Sequence, residues 1–379
     1  MIAQWKRGAT NLILILFAGC LWTTQVVAQV TVRDIEGNEV VLDKPAAHIV
    51  LAEGRQLMAL SLLSDDPADL LAGWGSDLKR STSLYELYRQ RFPALDNVKV
   101  VGDGPGPHGI SAETVLSLNP DAVVLSRSQT PPEQSAELLA QLKAAGIPVV
   151  YIDFATDPLS DTVPSLRVLG QLIGAGDRAE RYIAFYEAAR TDIRHKIENA
   201  DDRLKTPDVM IEAHAGGMND CCYSPGQGSF ESFVSVLHAS SIGADVLKKK
   251  SGKLDPQYIL MRDPDVYIAT GGSYLQGTGG LVLGPGYSEQ DARTSLENIM
   301  RRPLIGELSA VQNGKVHGLL HHLINTPYNI LVLQVMAKWL HPNLFEDVDP
   351  QQTLATINNE FSSVALDGAL WVNLKPIAE

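Results

Sequence analysis

Residues 113–124, ETVLSLNPDAVV, return later in the chain as residues 256–267, PQYILMRDPDVY. Both read as a short helix, then a polar residue followed by Pro-Asp, then an apolar strand. Proline cannot continue a helix and drives the residue before it out of the helical region, so both helices must stop at the same point. The consecutive apolar residues that follow are the pattern of a strand covered on both faces. A unit of this kind in each half of the chain implies an internal duplication of an α/β fold.

The surrounding sequence agrees. In the first half, residues 30–34 and 39–42 alternate about Glu36-Gly37-Asn38 like a hairpin. Strands are expected at 48–52, 69–74, 98–102, 121–125 and 147–152, with helices at 132–145 and after Ser111, a good N-cap. Leu57, Leu60 and Leu63 mark one more helical face. In the second half, strands are expected at 208–213, at 265–270 and within 311–319, and helices at 230–237, 256–260 and 328–340. Between the halves, Ala179, Tyr182, Ile183, Tyr186, Ala189, Ile193 and Ile197 recur at helical spacing. A helix over 177–200 would be about 36 Å long and contains no Gly or Pro. Alternating strands and helices form mainly parallel, doubly wound sheets. The expected architecture is therefore α/β, two Rossmann-like lobes joined by one long helix. Its segments are 1–28, a lobe at 29–160, a connecting helical segment at 161–205 and a second lobe at 206–379.

Residues 1–28 have the three-part layout of a secretory signal. Lys6 and Arg7 precede the short apolar run 12–18, and Val26-Val27-Ala28 offers a cleavage site. The run is too short to span a bilayer, which needs about 20 residues. The expectation is a periplasmic protein cleaved near Ala28, with a lipid anchor at Cys20 of Phe17-Ala18-Gly19-Cys20 as the rival. Export disfavours ATP-dependent enzymes and leaves binding proteins, hydrolases and envelope factors.

About 350 residues remain after such cleavage, a length suited to two domains. A net charge of −13 argues against nucleic acid or an anionic membrane as the main partner. Outside the signal the cysteines are the neighbours Cys221 and Cys222. They make no disulfide framework, and read as two buried thiols, a strained vicinal disulfide or a link to another chain.

Taken in order, several segments carry a family resemblance. They are Val30-Thr31-Val32-Arg33-Asp34 with Gly37-Asn38-Glu39-Val40; Leu118-Asn119-Pro120-Asp121; residues 146–153; Leu169-Gly170 through Arg178-Ala179; residues 313–317; residues 337–345; and the tail 366–371. The chain resembles the periplasmic binding proteins of iron–siderophore and cobalamin ABC importers. The resemblance implies a ligand held between two lobes that a rigid helix connects, and delivery to a permease and ATPase pair. It implies a monomer with no cofactor, and an acidic residue on each lobe to dock the permease. Glu113 matches the first such position, and Glu231 is the counterpart chosen for the second. The Gly-rich stretch 271–302 departs from the pattern.

Ligands of open α/β sheets bind beyond the carboxyl ends of the strands. That rule nominates Arg55, Trp74, His108, Arg127, Tyr274, His321, His322 and Tyr328 as ligand-binding residues. Arginine suits bulky, oxygen-rich ferric siderophores through its planar fork of donors, and Trp and Tyr supply flat walls with a polar tip. No metal site is expected, because no helical His spacing supports one; His108, His214 and His317 are the available completions for His321-His322. Gly102-x-Gly104-x-Gly106 is interrupted by prolines and reads as a turn. The expected function is capture of a ferric siderophore, with cobalamin or haem as alternatives on the same fold. An exported hydrolase is the reading from another class, but no nucleophile with an adjacent base can be placed.

Overall fold

The computed structural model describes residue 1 and residues 29–103, 109–200, 204–217 and 221–374. Residues 2–28, where the export signal and Cys20 are expected, and His108 lie outside the described residues. No helix among those described is long and apolar enough to cross a membrane.

The chain opens with an antiparallel hairpin of β1 (Val30–Arg33) and β2 (Glu39–Leu42). The first sheet follows: β3 (Ile49–Leu51), β4 (Leu71–Gly75), β5 (Lys99–Gly102), β6 (Ala122–Ser126) and β7 (Val149–Ile152). All its pairs are parallel, in the order β5-β4-β3-β6-β7. The second half contains β8 (Asp208–Glu212), β9 (Tyr223–Pro225), β10 (Ser240–Ser241), β11 (Ser251–Lys253), β12 (Val266–Gly271), β13 (Val316–Leu320) and β14 (Trp371–Asn373). Its sheet runs β10-β8-β12-β13-β14, parallel except for β14, while β9 and β11 pair separately. Every residue of β6, β12 and β13 is buried, as expected of strands with helices on both faces.

The duplication is visible in detail. Ser111 caps its helix by accepting from Thr114 N–H, and Asp255 caps the equivalent helix by accepting from Gln257 and Tyr258 N–H. Both helices end on a left-handed residue, Asn119 at φ 44° and Asp263 at φ 40°. The aspartates after the two prolines then tie strands together: Asp121 accepts from Ala47 and His48 N–H, and Asp265 from Asp208 N–H. This register pairs Glu113 with Gln257. Glu231 instead opens the helix Glu231–Val236 and is not the duplicate of Glu113.

The connecting helix is Gly176–Glu198, with Ala179, Tyr182, Ile183, Tyr186 and Ile193 buried. A fully buried side chain of such size contributes about 1.5–3 kcal/mol, and this stripe is shared between the lobes. The Tyr182 hydroxyl donates to Pro327 C=O at 2.8 Å and the Tyr186 hydroxyl to Asn329 Oδ1 at 2.8 Å. Arg178 donates to Leu62 C=O on one side and to Phe361 C=O on the other.

Three elements differ from expectation. Helix Pro158–Leu172 contains Pro164, which masks it in the sequence. It is started by the Asp157 cap and packs on the connecting helix. Gly170 permits that approach, since a Cβ there would meet Ala179 Cβ at 2.6 Å. The Gly-rich stretch contains helix Glu289–Met300, opened by a capping box of Ser288 and Asp291. Helix Thr82–Arg91 carries little apolar periodicity of its own. Cys221 and Cys222 bring their sulfur atoms side by side, and Cys222 is fully buried.

Candidate functional site

The carboxyl ends of the two sheets face each other. From the first lobe, the loop after β3 contributes Glu53, Gly54, Arg55 and Gln56, and the loop after β4 contributes Asp77 and Ser81. Gly54 and Gly75 make these loops interlock: a Cβ on Gly54 would meet Gly75 C=O at 2.1 Å, and one on Gly75 would meet Ala52 C=O at 2.3 Å. The Asp77 carboxylate accepts from the backbone N–H of Gly54 and of Arg55, which fixes the turn.

From the second lobe come His214 after β8, Tyr274 after β12, and His321 with His322 after β13. His214 adopts a left-handed conformation, φ 54°, with its N–H on Thr270 Oγ1 at 3.1 Å. Its Nδ1 lies 2.7 Å from the Tyr274 hydroxyl, and its ring packs tilted against His321 at 4.2 Å between centroids. His321 Nδ1 meets Thr270 Oγ1 at 3.0 Å. His322 Nε2 crosses to Ser81 Oγ of the first lobe at 2.8 Å, and its Nδ1 is buried without a partner. Gln56 Nε2 donates across the same boundary to Asn325 C=O at 3.2 Å.

Burial sets the electrostatics. It lowers the pKa of His214, that of His321 further, and that of His322 to about 3, with the Arg55 charge acting in the same direction. The three rings are neutral at pH 7 and offer lone pairs. Burial raises the Tyr274 pKa, with Arg55 opposing. Arg55 is bound to Glu53 and lies 3.9 Å from Asp77. Burial raises the Glu53 pKa against the pull of Arg55.

Four of the residues nominated from sequence therefore meet here: Arg55, Tyr274, His321 and His322. Others do not. Trp74 and Tyr328 are fully buried core residues with no surface for a ligand. Trp74 packs on Tyr85 at 6.1 Å, and the Tyr328 hydroxyl donates to Ser362 Oγ at 2.8 Å. Arg127 lies further along the strand ends, bound to Asp161 and close to Glu36 and Asp153. Both arginines expected to meet an anionic ligand are thus occupied by carboxylates. His214, weighed from sequence only as a completion for a metal site, is central. Its signal is its place just after β8, where the switch-point rule puts ligand contacts.

Among the described residues, three ligand atoms of His, Cys, Asp or Glu lie within 4.8 Å of one another at Glu212, Cys221 and Cys222 alone, so the histidines do not surround a bare ion. Glu212 is not free to bind a cation. Its oxygens accept from Arg302 twice, Tyr267 and Gly216 N–H. A groove of about 670 Å³ lined by Leu204, His341 and Leu344 lies away from the strand ends and gathers no comparable chemistry.

The fold matches known structures. TroA-like periplasmic binding protein FepB from Veillonella parvula superposes with TM-score 0.82 at 24% identity, over 91% of this chain and 100% of that one. The molybdate-binding protein MolA from Haemophilus influenzae gives 0.67 at 15% identity, over 89% and 99%. A periplasmic heme-binding protein from Pseudomonas aeruginosa gives 0.55 at 18% identity, over 79% and 94%. No curated protein matches the sequence. The family model described as "Periplasmic binding protein" matches residues 61–320. With that match spanning most of the sequence, the chain belongs to the periplasmic binding protein family, solute-capturing components of ABC importers that are not enzymes.

Proposed function

We propose that this protein captures a ferric siderophore between its lobes and hands it to a membrane permease. The observation that carries this reading is the cluster of neutral histidines around the Tyr274 hydroxyl, opposite Arg55. Phenol oxygen and imidazole nitrogen are donors suited to iron, and they lie where a bulky complex would sit. Molybdate would require uncommitted donors and positive charge, and Arg55 and Arg127 are both neutralised by carboxylates. On this reading the chain is exported through residues 1–28, acts as a monomer and presents Glu113, exposed in the first turn of its helix, to the permease. Gln257 replaces an acid at the duplicate position, so docking is asymmetric in charge.

Haem is the second reading, favoured by the same His and Tyr side chains, both of which serve as haem ligands. Calorimetric titration with ferric hydroxamates, catecholates and carboxylates tests the first. Mixing with haem and recording the visible spectrum tests the second. Binding of no ferric complex, together with a haem band that disappears in His214→Ala, transfers the assignment to haem.

A further inference from the structure

In the second lobe β12 is a middle strand, paired with β8 on one side and β13 on the other. His214 follows β8 and His321 follows β13, so the carboxyl end of β12 lies between the two histidine loops. The side chain there is Thr270, which is fully buried. A β-branched residue suits a strand, and Val would serve the packing as well. What Val lacks is the hydroxyl, and a buried hydroxyl needs hydrogen-bond partners.

Thr270 Oγ1 has one partner in each loop. It accepts from His214 N–H at 3.1 Å and meets His321 Nδ1 at 3.0 Å. In the first loop, His214 is a non-glycine residue at φ 54°, a conformation that persists only where its surroundings hold it. Thr270 holds it twice, through Oγ1 and through its C=O, which accepts from Ala215 N–H at 2.8 Å. In the second loop, Oγ1 occupies Nδ1 of the His321 ring whichever of the two atoms carries the hydrogen. The Tyr274 hydroxyl occupies Nδ1 of His214 in the same way. Nε2 is then the nitrogen that each ring keeps for a ligand.

We infer that Thr270 is the positioning residue of the cleft: its hydroxyl holds the His214 backbone in the left-handed turn and fixes the His321 ring so that Nε2 meets the captured ligand. Thr270 is too deeply buried to touch that ligand and acts through the two histidines. The inference rests on the histidine cluster being the ligand site, and adds the residue that sets its geometry.

The test uses the full-length protein with Thr270→Val and Thr270→Ser, and three probes: a ferric trihydroxamate, a ferric tris-catecholate and haem. Val keeps the shape and removes the hydroxyl, whereas Ser keeps the hydroxyl and removes the methyl. For each probe that binds the wild type, calorimetric affinity should fall about 10-fold in the Val variant, the effect of one hydrogen bond, and stay within about two-fold in the Ser variant. In the ligand-free protein, imidazole nitrogen NMR should show the His321 Nδ1 resonance displaced by Val and restored by Ser, a pattern that lost packing alone would not produce. Wild-type affinity in the Val variant, or an equal loss in the Ser variant, overturns the inference while leaving ferric capture intact. An Nδ1 resonance unmoved by Val does the same. Failure of the wild type to bind any of the three probes removes the ferric and haem readings, and the role of Thr270 in capture with them.

Discussion

The Tyr274 hydroxyl lies 2.7 Å from His214 Nδ1, across 60 residues of sequence. The two side chains come from loops after different strands of one sheet, and each positions the other. Tyr274→Phe removes the hydroxyl and keeps the ring. His214→Ala removes the ring that packs tilted against His321. Each should weaken binding of a ferric complex by about 10-fold, the effect of one hydrogen bond or donor. The double variant should lose less than the product of the two, since they act as a pair. Calorimetry supplies the affinities, and additive losses would show that the pair does not act together.

Acid should destabilise the protein through its histidines. Burial pushes His317 down to about 4 and His322 to about 3, and lowers His214 and His321 as well. In the unfolded chain a histidine takes its proton near pH 6.5. Below that value the unfolded state binds more protons than the folded one. Stability is therefore full above about pH 6.5 and declines as pH falls toward the folded values. Thermal melts should be level from pH 7.5 to about 6.5 and fall steadily from there to pH 4.5. His317→Gln, which removes a ring stacked on Trp339, should flatten that slope although it lowers stability at neutral pH. A slope unchanged in this variant would assign the acid sensitivity to other groups.

The lobes should move little on loading. The connecting helix has no Gly or Pro after its first residue, and Tyr182 and Tyr186 bond it to Pro327 and Asn329. The expected rotation is about 10° or less, visible as a nearly constant radius of gyration in small-angle scattering. Ala189→Pro should cost about 3 kcal/mol or more and weaken binding without touching the cleft. A clear contraction of the wild-type protein on loading would refute the rigid connection.

Asn119 holds a left-handed conformation, φ 44°, at the end of its helix. Asn119→Val should cost about 1–2 kcal/mol, because a β-branched side chain clashes there. Asn119→Gly should be close to neutral. Denaturant unfolding of the two variants reads the difference directly.

The helix stops at Asn119-Pro120 and Asp263-Pro264, the apolar strands after them and the periodicity of 177–200 were enough to give two α/β lobes joined by a helix, because these signals act between residues close in the chain. Helix Pro158–Leu172 was hidden because Pro164 is a local stop signal that packing against the connecting helix overrides. Strand ends could be located in sequence, and so could the loops that carry Arg55, Tyr274, His321 and His322. Which of those side chains meet could not. Tertiary packing placed Trp74 and Tyr328 in the core, matched Arg55 with Asp77 and Arg127 with Asp161, and brought His214 to Tyr274. Burial and charge pairing depend on neighbours tens to hundreds of residues away, so the sequence set the positions of the loops and only the folded chain decided the chemistry between them.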